Sequence, residues 1–266
     1  MYPVLFEFGA VQIGTHDFFV GLGVLAAALV FGLETRRRRM TDDRLWAVVA
    51  GALVGGALLA RLGTWAEHLD LRHNASFVEA WLYGNRSILS GLLGAYVGAV
   101  VAKRLVGYRA RTGDLFAPAV AIGMAVGRIG CFLTEQPGAA TGLPWGIHAP
   151  ASIPGCPPCV AGAAMHPSFL YEIAFHLAAF AALLALRDRI REPGELLKIY
   201  LLGYAAFRFA VEFVRGNETV WLGLSRSQWF LVAVAPLLVI HCVRQYRRGV
   251  YAGVFVRAGR PATVPA

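Results

Sequence analysis

Seven apolar stretches run through this chain, at residues 16–35, 45–62, 87–103, 114–134, 168–187, 195–214 and 227–244. Each is near the ~20 residues that a helix needs to cross a bilayer core. In lipid every backbone polar group must be satisfied within the protein, which leaves helices and closed barrels. The runs are continuous rather than alternating, which argues against a barrel. The reading is a single all-α integral membrane domain over 1–266, with about seven transmembrane helices and outer loops at 63–86 and 136–166.

Composition agrees. The 266 residues are 57% hydrophobic and 15% charged, whereas soluble domains run near a quarter charged. A net charge of +9 would by itself suggest nucleic acid. The basic residues instead lie in short clusters between apolar runs, so no nucleic-acid partner is expected. The first apolar run starts late and lacks a basic segment before it, so no cleavable signal peptide is expected.

Those clusters orient the chain. Arg36 to Arg39 and Arg44 follow the first span, and Lys103, Arg104, Arg109 and Arg111 the third. Arg187, Arg189, Arg191 and Lys198 follow the fifth, and Arg244, Arg247, Arg248, Arg257 and Arg260 the seventh. With seven spans, these 18 of the 25 Lys and Arg residues share one side, which the positive-inside rule makes cytoplasmic. The N-terminus is then outside and the C-terminus inside.

Small residues recur within the spans. Gly51-Ala-Leu-Val-Gly55 and Gly94-Ala-Tyr-Val-Gly98 fit the small-xxx-small pattern that lets helix backbones approach in lipid.

Charges inside the spans mark the site. A charge at the centre of a helix costs about 2.5–3.5 kcal/mol on insertion scales unless a partner or ligand compensates it. Arg128 and Glu135 fall in the outward half of the fourth span, and Arg208, Glu212 and Arg215 in the outward part of the sixth. The last three stand at i, i+4 and i+7, on one helix face. An outward-side polar chamber holding a charged ligand is the expectation.

Three motifs surround these charges. In Gly127-Arg128-Ile129-Gly130-Cys131-Phe132, followed by Glu135 and Gly138, an arginine between glycines can hold a phosphate bidentately. The alternative is a structural Arg128–Glu135 pair, which at seven residues requires the helix to break. In His166-Pro167-Ser168-Phe169-Leu170-Tyr171-Glu172, His166 could titrate near neutral pH or serve as an interfacial anchor, and Glu172 could simply complement the helix dipole. In the third motif, Tyr204 to Arg215, Arg208 and Glu212 could form an intrahelical ion pair. Cys156-Pro157-Pro158-Cys159 reads as a local disulfide, with a redox pair or half a zinc site as alternatives. Neither a metal site nor a cofactor is expected.

Together the motifs resemble the prolipoprotein diacylglyceryl transferase family. The ordered set is Gly127-Arg128-x-Gly130-x-Phe132 with Glu135 and Gly138, His166-Pro167-Ser168-x-Leu170-Tyr171-Glu172, Tyr204-x-x-Phe207-Arg208 with Glu212-Phe213 and Arg215, and Gln228. The resemblance implies a bacterial inner-membrane enzyme. It would move diacylglyceryl from phosphatidylglycerol to the lipobox cysteine thiol of a preprolipoprotein and release glycerol phosphate. By matching positions Arg128 and Arg208 would hold the donor phosphate. Glu135 and Glu212 would orient the arginines or contact the headgroup, Gly138 would lie in the lining, and Tyr204 beside Arg208. Arg215, Tyr171 and Glu172 complete the expected substrate-binding set.

The sequence departs from the family at three places. The family's His-Gly-Gly histidine falls at Leu89 or Ser90, its asparagine after the arginine motif is Cys131, and an early tyrosine is Phe19. With that histidine replaced, His166, Glu135 and Glu212 are the candidates for the base that takes the acceptor proton. A paralogue that transfers phosphoglycerol to another acceptor such as a glycan, and a non-catalytic lipid-binding protein, are the alternative readings.

Overall fold

The computed structural model describes residues 4–8, 11–67, 87–148, 162–190 and 192–255. Among these, seven long helices occur: α1 (Thr15–Arg37), α2 (Arg44–Glu67), α3 (Ile88–Leu105), α4 (Gly113–Thr134), α5 (Ser168–Leu186), α6 (Glu195–Arg215) and α7 (Arg226–Arg247). A short α8 (Ala252–Phe255) follows. All seven apolar stretches fall on these helices within a few residues. Six of them (α1 to α5 and α7) are long and apolar enough to cross a membrane. The protein is a multi-pass, all-α membrane protein. The remaining long helix, α6, carries Glu195, Lys198, Arg208, Glu212 and Arg215.

Among the described residues, three two-stranded antiparallel pairs accompany the helices. They pair β1 (Val4–Phe8) with β2 (Val11–Gly14), β3 (Ile147–His148) with β4 (Ala164–Met165), and β5 (Thr219–Trp221) with β6 (Leu224–Ser225). The second pair lies within the long 136–166 loop. Residues 68–86 of the other outer loop, and Cys156 and Cys159, lie outside the described residues.

The chain divides into two compact units, 36–110 and the remainder. In the first, α2 and α3 pack backbone to backbone along their glycines. A Cβ on Gly98 would stand 2.0 Å from the Gly51 carbonyl oxygen, and one on Gly55 2.4 Å from that of Gly94. Both small-xxx-small stretches thus meet each other, because only hydrogen at these positions permits the approach.

In the second unit, Ala117 and Ala121 of α4, Leu183 of α5, Ile190, and Leu196 and Tyr200 of α6 form a buried core. Polar anchors fix the start of α6. The Asp114 carboxylate on α4 accepts from the Leu196 amide at 3.1 Å. The fully buried Glu195 carboxylate accepts from Lys198 (2.7 Å), Gln245 (3.1 Å) and the Tyr251 hydroxyl (2.9 Å), and lies 3.1 Å from His241 Nε2. Arg187 at the end of α5 pairs with the buried Glu34 of α1. With one end of α6 tied to α4 and α7, the rotation of its other end is set. That rotation carries Arg208, Glu212 and Arg215 into the protein. Gly216 then ends the helix in the left-handed conformation, φ 73°.

Candidate lipid-headgroup site

The buried charges of α4, α5 and α6 form one network. Glu172 sits in the first turns of α5, and its side chain is fully excluded from solvent. Its Oε2 lies 2.5 Å from Arg128 Nη2 on α4, and its Oε1 accepts from Arg215 Nη1 on α6 at 2.5 Å. One carboxylate thus bridges guanidiniums from two other helices. Phe169, three residues earlier and so on the same face of α5, lies beneath both. The two guanidinium carbons stand 5.7 Å (Arg128) and 5.0 Å (Arg215) from its ring centre. That is cation–π distance, in a place where desolvation strengthens the attraction.

The second carboxylate, Glu212, pairs with Arg208 one turn earlier on α6. It also accepts from Asn217 Nδ2 at 2.8 Å and from Ser225 Oγ at 2.7 Å, and lies 3.9 Å from Arg215 Nε. Ser225 caps α7 in a reciprocal box: its hydroxyl accepts from the Gln228 amide (3.3 Å), and the Gln228 side chain accepts from the Ser225 amide (2.9 Å). Gln228 Nε2 in turn donates to the Phe209 carbonyl on α6 at 3.1 Å. The α7 N-terminus is thereby locked to the Glu212 region.

Arg215 lies within electrostatic reach of Arg208 and Arg128 as well as of both carboxylates. The buried Tyr204 sits in the field of Glu172, Arg128 and Arg208. Three guanidiniums therefore share two carboxylates, and the cluster carries one positive charge in excess. Arg128 and Arg208 come from separate helices and meet through this network. A buried unbalanced charge is expensive on its own, a cost that an anion bound beside it would offset.

Other predicted residues stand elsewhere. Arg128 pairs with Glu172 rather than Glu135. Helix α4 runs unbroken to Thr134, and Glu135 leaves it in extended conformation (φ −98°, ψ 163°). The Glu135 side chain is 45% exposed and lies 3.8 Å from His16 Nε2. His166 Nδ1 lies 3.3 Å from the Tyr171 hydroxyl, which accepts from Trp145 Nε1 at 2.9 Å. This aromatic group ties the 136–166 segment to α5.

Gly138 is held by its backbone. Its amide donates to the His166 carbonyl (2.7 Å), and the next amide, of Ala139, donates to the Val214 carbonyl (2.8 Å). A Cβ on Gly138 would lie 2.0 Å from the Val214 oxygen, so the chain can thread between α5 and α6 only as glycine.

The sequence reading missed Phe169, Asn217 and Ser225. The Ser225-x-x-Gln228 spacing is a helix-start signature and could have marked Ser225. No local signal points to Asn217.

The family described as prolipoprotein diacylglyceryl transferase matches residues 3–244. A Cupriavidus necator protein named phosphatidylglycerol–prolipoprotein diacylglyceryl transferase is 33% identical over 229 residues, covering 81% of this chain and 78% of its own. Proteins of the same name from Bordetella bronchiseptica (30% identical, 86% of this chain, 90% of its own) and Trichormus variabilis (29%, 88% and 92%) are also similar.

Proposed function

This chain belongs to the prolipoprotein diacylglyceryl transferase family, and we propose that it transfers diacylglyceryl from phosphatidylglycerol to the lipobox cysteine thiol of a preprolipoprotein. The observation that carries this reading is the single positive charge left over among Arg128, Arg208, Arg215, Glu172 and Glu212. The headgroup phosphodiester of phosphatidylglycerol is a monoanion, and guanidiniums suit its oxygens.

Attack of the thiol on the glycerol carbon forms a C–S bond and breaks the C–O bond to phosphate. Negative charge grows on the departing glycerol phosphate as that bond breaks. Arg128 and Arg208 stabilise it, in a region where water does not screen them. Glu172 and Glu212 fix the guanidiniums, while Tyr204, Arg215 and Tyr171 complete the surroundings of the donor. The thiol proton passes to Glu135 or His166, which are nearer solvent than the charge network.

The protein sits in the bacterial inner membrane with α6 as a seventh crossing, the N-terminus outside, the C-terminus cytoplasmic and the polar chamber opening outward. The distribution of Lys and Arg supports this orientation.

One observation favours a second reading. The family histidine is absent, and Leu89 and Ser90 in its place are buried, with Ser90 Oγ donating to Ser87 Oγ at 3.1 Å. With a different proton acceptor, the same cradle could serve attack on phosphorus and transfer of phosphoglycerol. Purified protein incubated with a lipobox peptide and phosphatidylglycerol labelled separately in acyl chain and headgroup distinguishes the two. Acyl label on the peptide with free glycerol phosphate supports the first reading. Headgroup label on an acceptor with free diacylglycerol supports the second, and release of neither label removes both.

A further inference from the structure

The geometry points to a binding site for a thiophilic divalent cation, Zn²⁺ or Co²⁺, formed by His16, Cys131 and Glu135 beside the headgroup network. The three donor atoms lie within 4.8 Å of one another. Cys131 Sγ is 3.7 Å from His16 Nε2, and Glu135 Oε1 is 3.8 Å from the same nitrogen. A tetrahedral zinc ion with bonds of about 2.3 Å to sulfur and about 2.0–2.1 Å to nitrogen or oxygen sets donor–donor edges of roughly 3.3–3.6 Å. The two edges at His16 are within a few tenths of an ångström of that geometry, and the third, between Cys131 and Glu135, is no longer than 4.8 Å.

That both neighbours face one nitrogen separates this arrangement from a nucleophile relay. A relay uses the two ring nitrogens in turn, one toward the thiol and the other toward the carboxylate. Here the thiol and the carboxylate both lie near the same ring nitrogen.

The fold holds His16 there. Gly130 precedes Cys131 on α4, and a Cβ on it would lie 3.0 Å from Phe19 Cβ, 3.1 Å from the His16 carbonyl oxygen and 3.2 Å from His16 Cα. The start of α1 therefore rests on the bare backbone of α4. Lower down, Gly23 meets Gly123 in the same way, with a Cβ on Gly23 only 2.6 Å from the Gly123 oxygen. The side chains of His16 and Glu135 are 39% and 45% exposed, which gives an ion a way in, while Cys131 is buried behind them.

Charge is consistent with the site despite a nearby cation. Arg128 Nη1 lies 3.7 Å from Cys131 Sγ, and Arg128 is already paired with Glu172. A divalent ion with one thiolate and one carboxylate is neutral in sum, so the loaded site places no net charge next to the guanidinium. Three protein ligands leave a tetrahedral ion one position for water or a thiol, the pattern of reactive rather than purely structural zinc sites. The site does not depend on which transfer the protein performs; when it is loaded, Glu135 is a ligand and the acceptor proton passes to His166.

The test is Co²⁺ titration of the full-length, chelator-treated protein in detergent, followed by the thiolate-to-metal charge-transfer band and competition by Zn²⁺. One equivalent per chain is expected. The band should disappear in Cys131→Ser and persist in the Cys156→Ser/Cys159→Ser double variant. Affinity should fall at least about tenfold in His16→Ala and in Glu135→Ala, since loss of even an outer partner of a ligand costs that much. The solvent-exposed Glu135 substitution keeps the test valid if Cys131→Ser does not fold. Absence of a band, a band surviving Cys131→Ser, or a band lost with Cys156 and Cys159 would overturn the proposal.

Discussion

Glu172 on α5 stands 2.5 Å from Arg128 on α4, with neither side chain more than 6% exposed. The same carboxylate reaches Arg215 on α6. Replacing Glu172 by Gln leaves two buried guanidiniums without their shared counter-ion. Breaking a buried pair from one side costs about 3–5 kcal/mol. Thermal unfolding in detergent should show a large fall in Tm for Glu172→Gln. An unchanged Tm would mean that the carboxylate does not hold the three helices.

Arg208 offers a cleaner separation of binding from folding. Its partner Glu212 keeps two further donors, Asn217 and Ser225, when the guanidinium is gone. Arg208→Ala should therefore fold while losing phosphatidylglycerol turnover, and Arg208→Lys should recover only part of it, since an ammonium cannot grip two phosphate oxygens in a planar fork. Turnover by labelled-lipid assay, beside circular dichroism of each variant, checks this. Full activity in Arg208→Ala would remove the residue from the mechanism.

Gly138→Ala places a methyl group where the Val214 oxygen already is. Overpacking of this kind costs about 1–3 kcal/mol. Gly142, in the same segment, has nothing within 4 Å of its added Cβ and should accept alanine without loss. Paired Tm measurements decide, and equal stability of the two variants would contradict the threading described for Gly138.

A parallel comparison applies to the α2–α3 pair. Gly98→Ala should destabilise that unit, because its Cβ would meet the Gly51 oxygen at 2.0 Å, whereas Gly21→Ala on α1 meets nothing. Proteolysis or hydrogen exchange of the α2–α3 segment in detergent would report the difference. Equal protection would show that the close glycine contact contributes little.

The helices were legible in the sequence because the signal is local: a bilayer crossing needs about 20 apolar residues in a row. The small-xxx-small stretches of α2 and α3 were also legible as local patterns, but that they pack against each other was not. Partner choice among the charges was not. Arg128 has Glu135 seven residues away, yet it pairs with Glu172, 44 positions along the chain, because the rotation of α5 against α4 decides which carboxylate faces it. His16 and Cys131 are 115 residues apart, and the close packing of α1 on α4 at Gly130 and Gly23 brings them together. The Arg208–Glu212 pair, at i and i+4, was readable as one of two options, and the structure shows it made.

One monoanionic headgroup is expected to neutralise the positive charge left over in this network. Native mass spectrometry of the purified protein, equilibrated with equal amounts of phosphatidylglycerol and diacylglycerol, tests it most directly. One phosphatidylglycerol per chain should be retained, with no retained diacylglycerol, and the bound lipid should be lost in folded Arg208→Gln. Equal retention by that variant and the unmodified protein, or retention of diacylglycerol in place of phosphatidylglycerol, would contradict it.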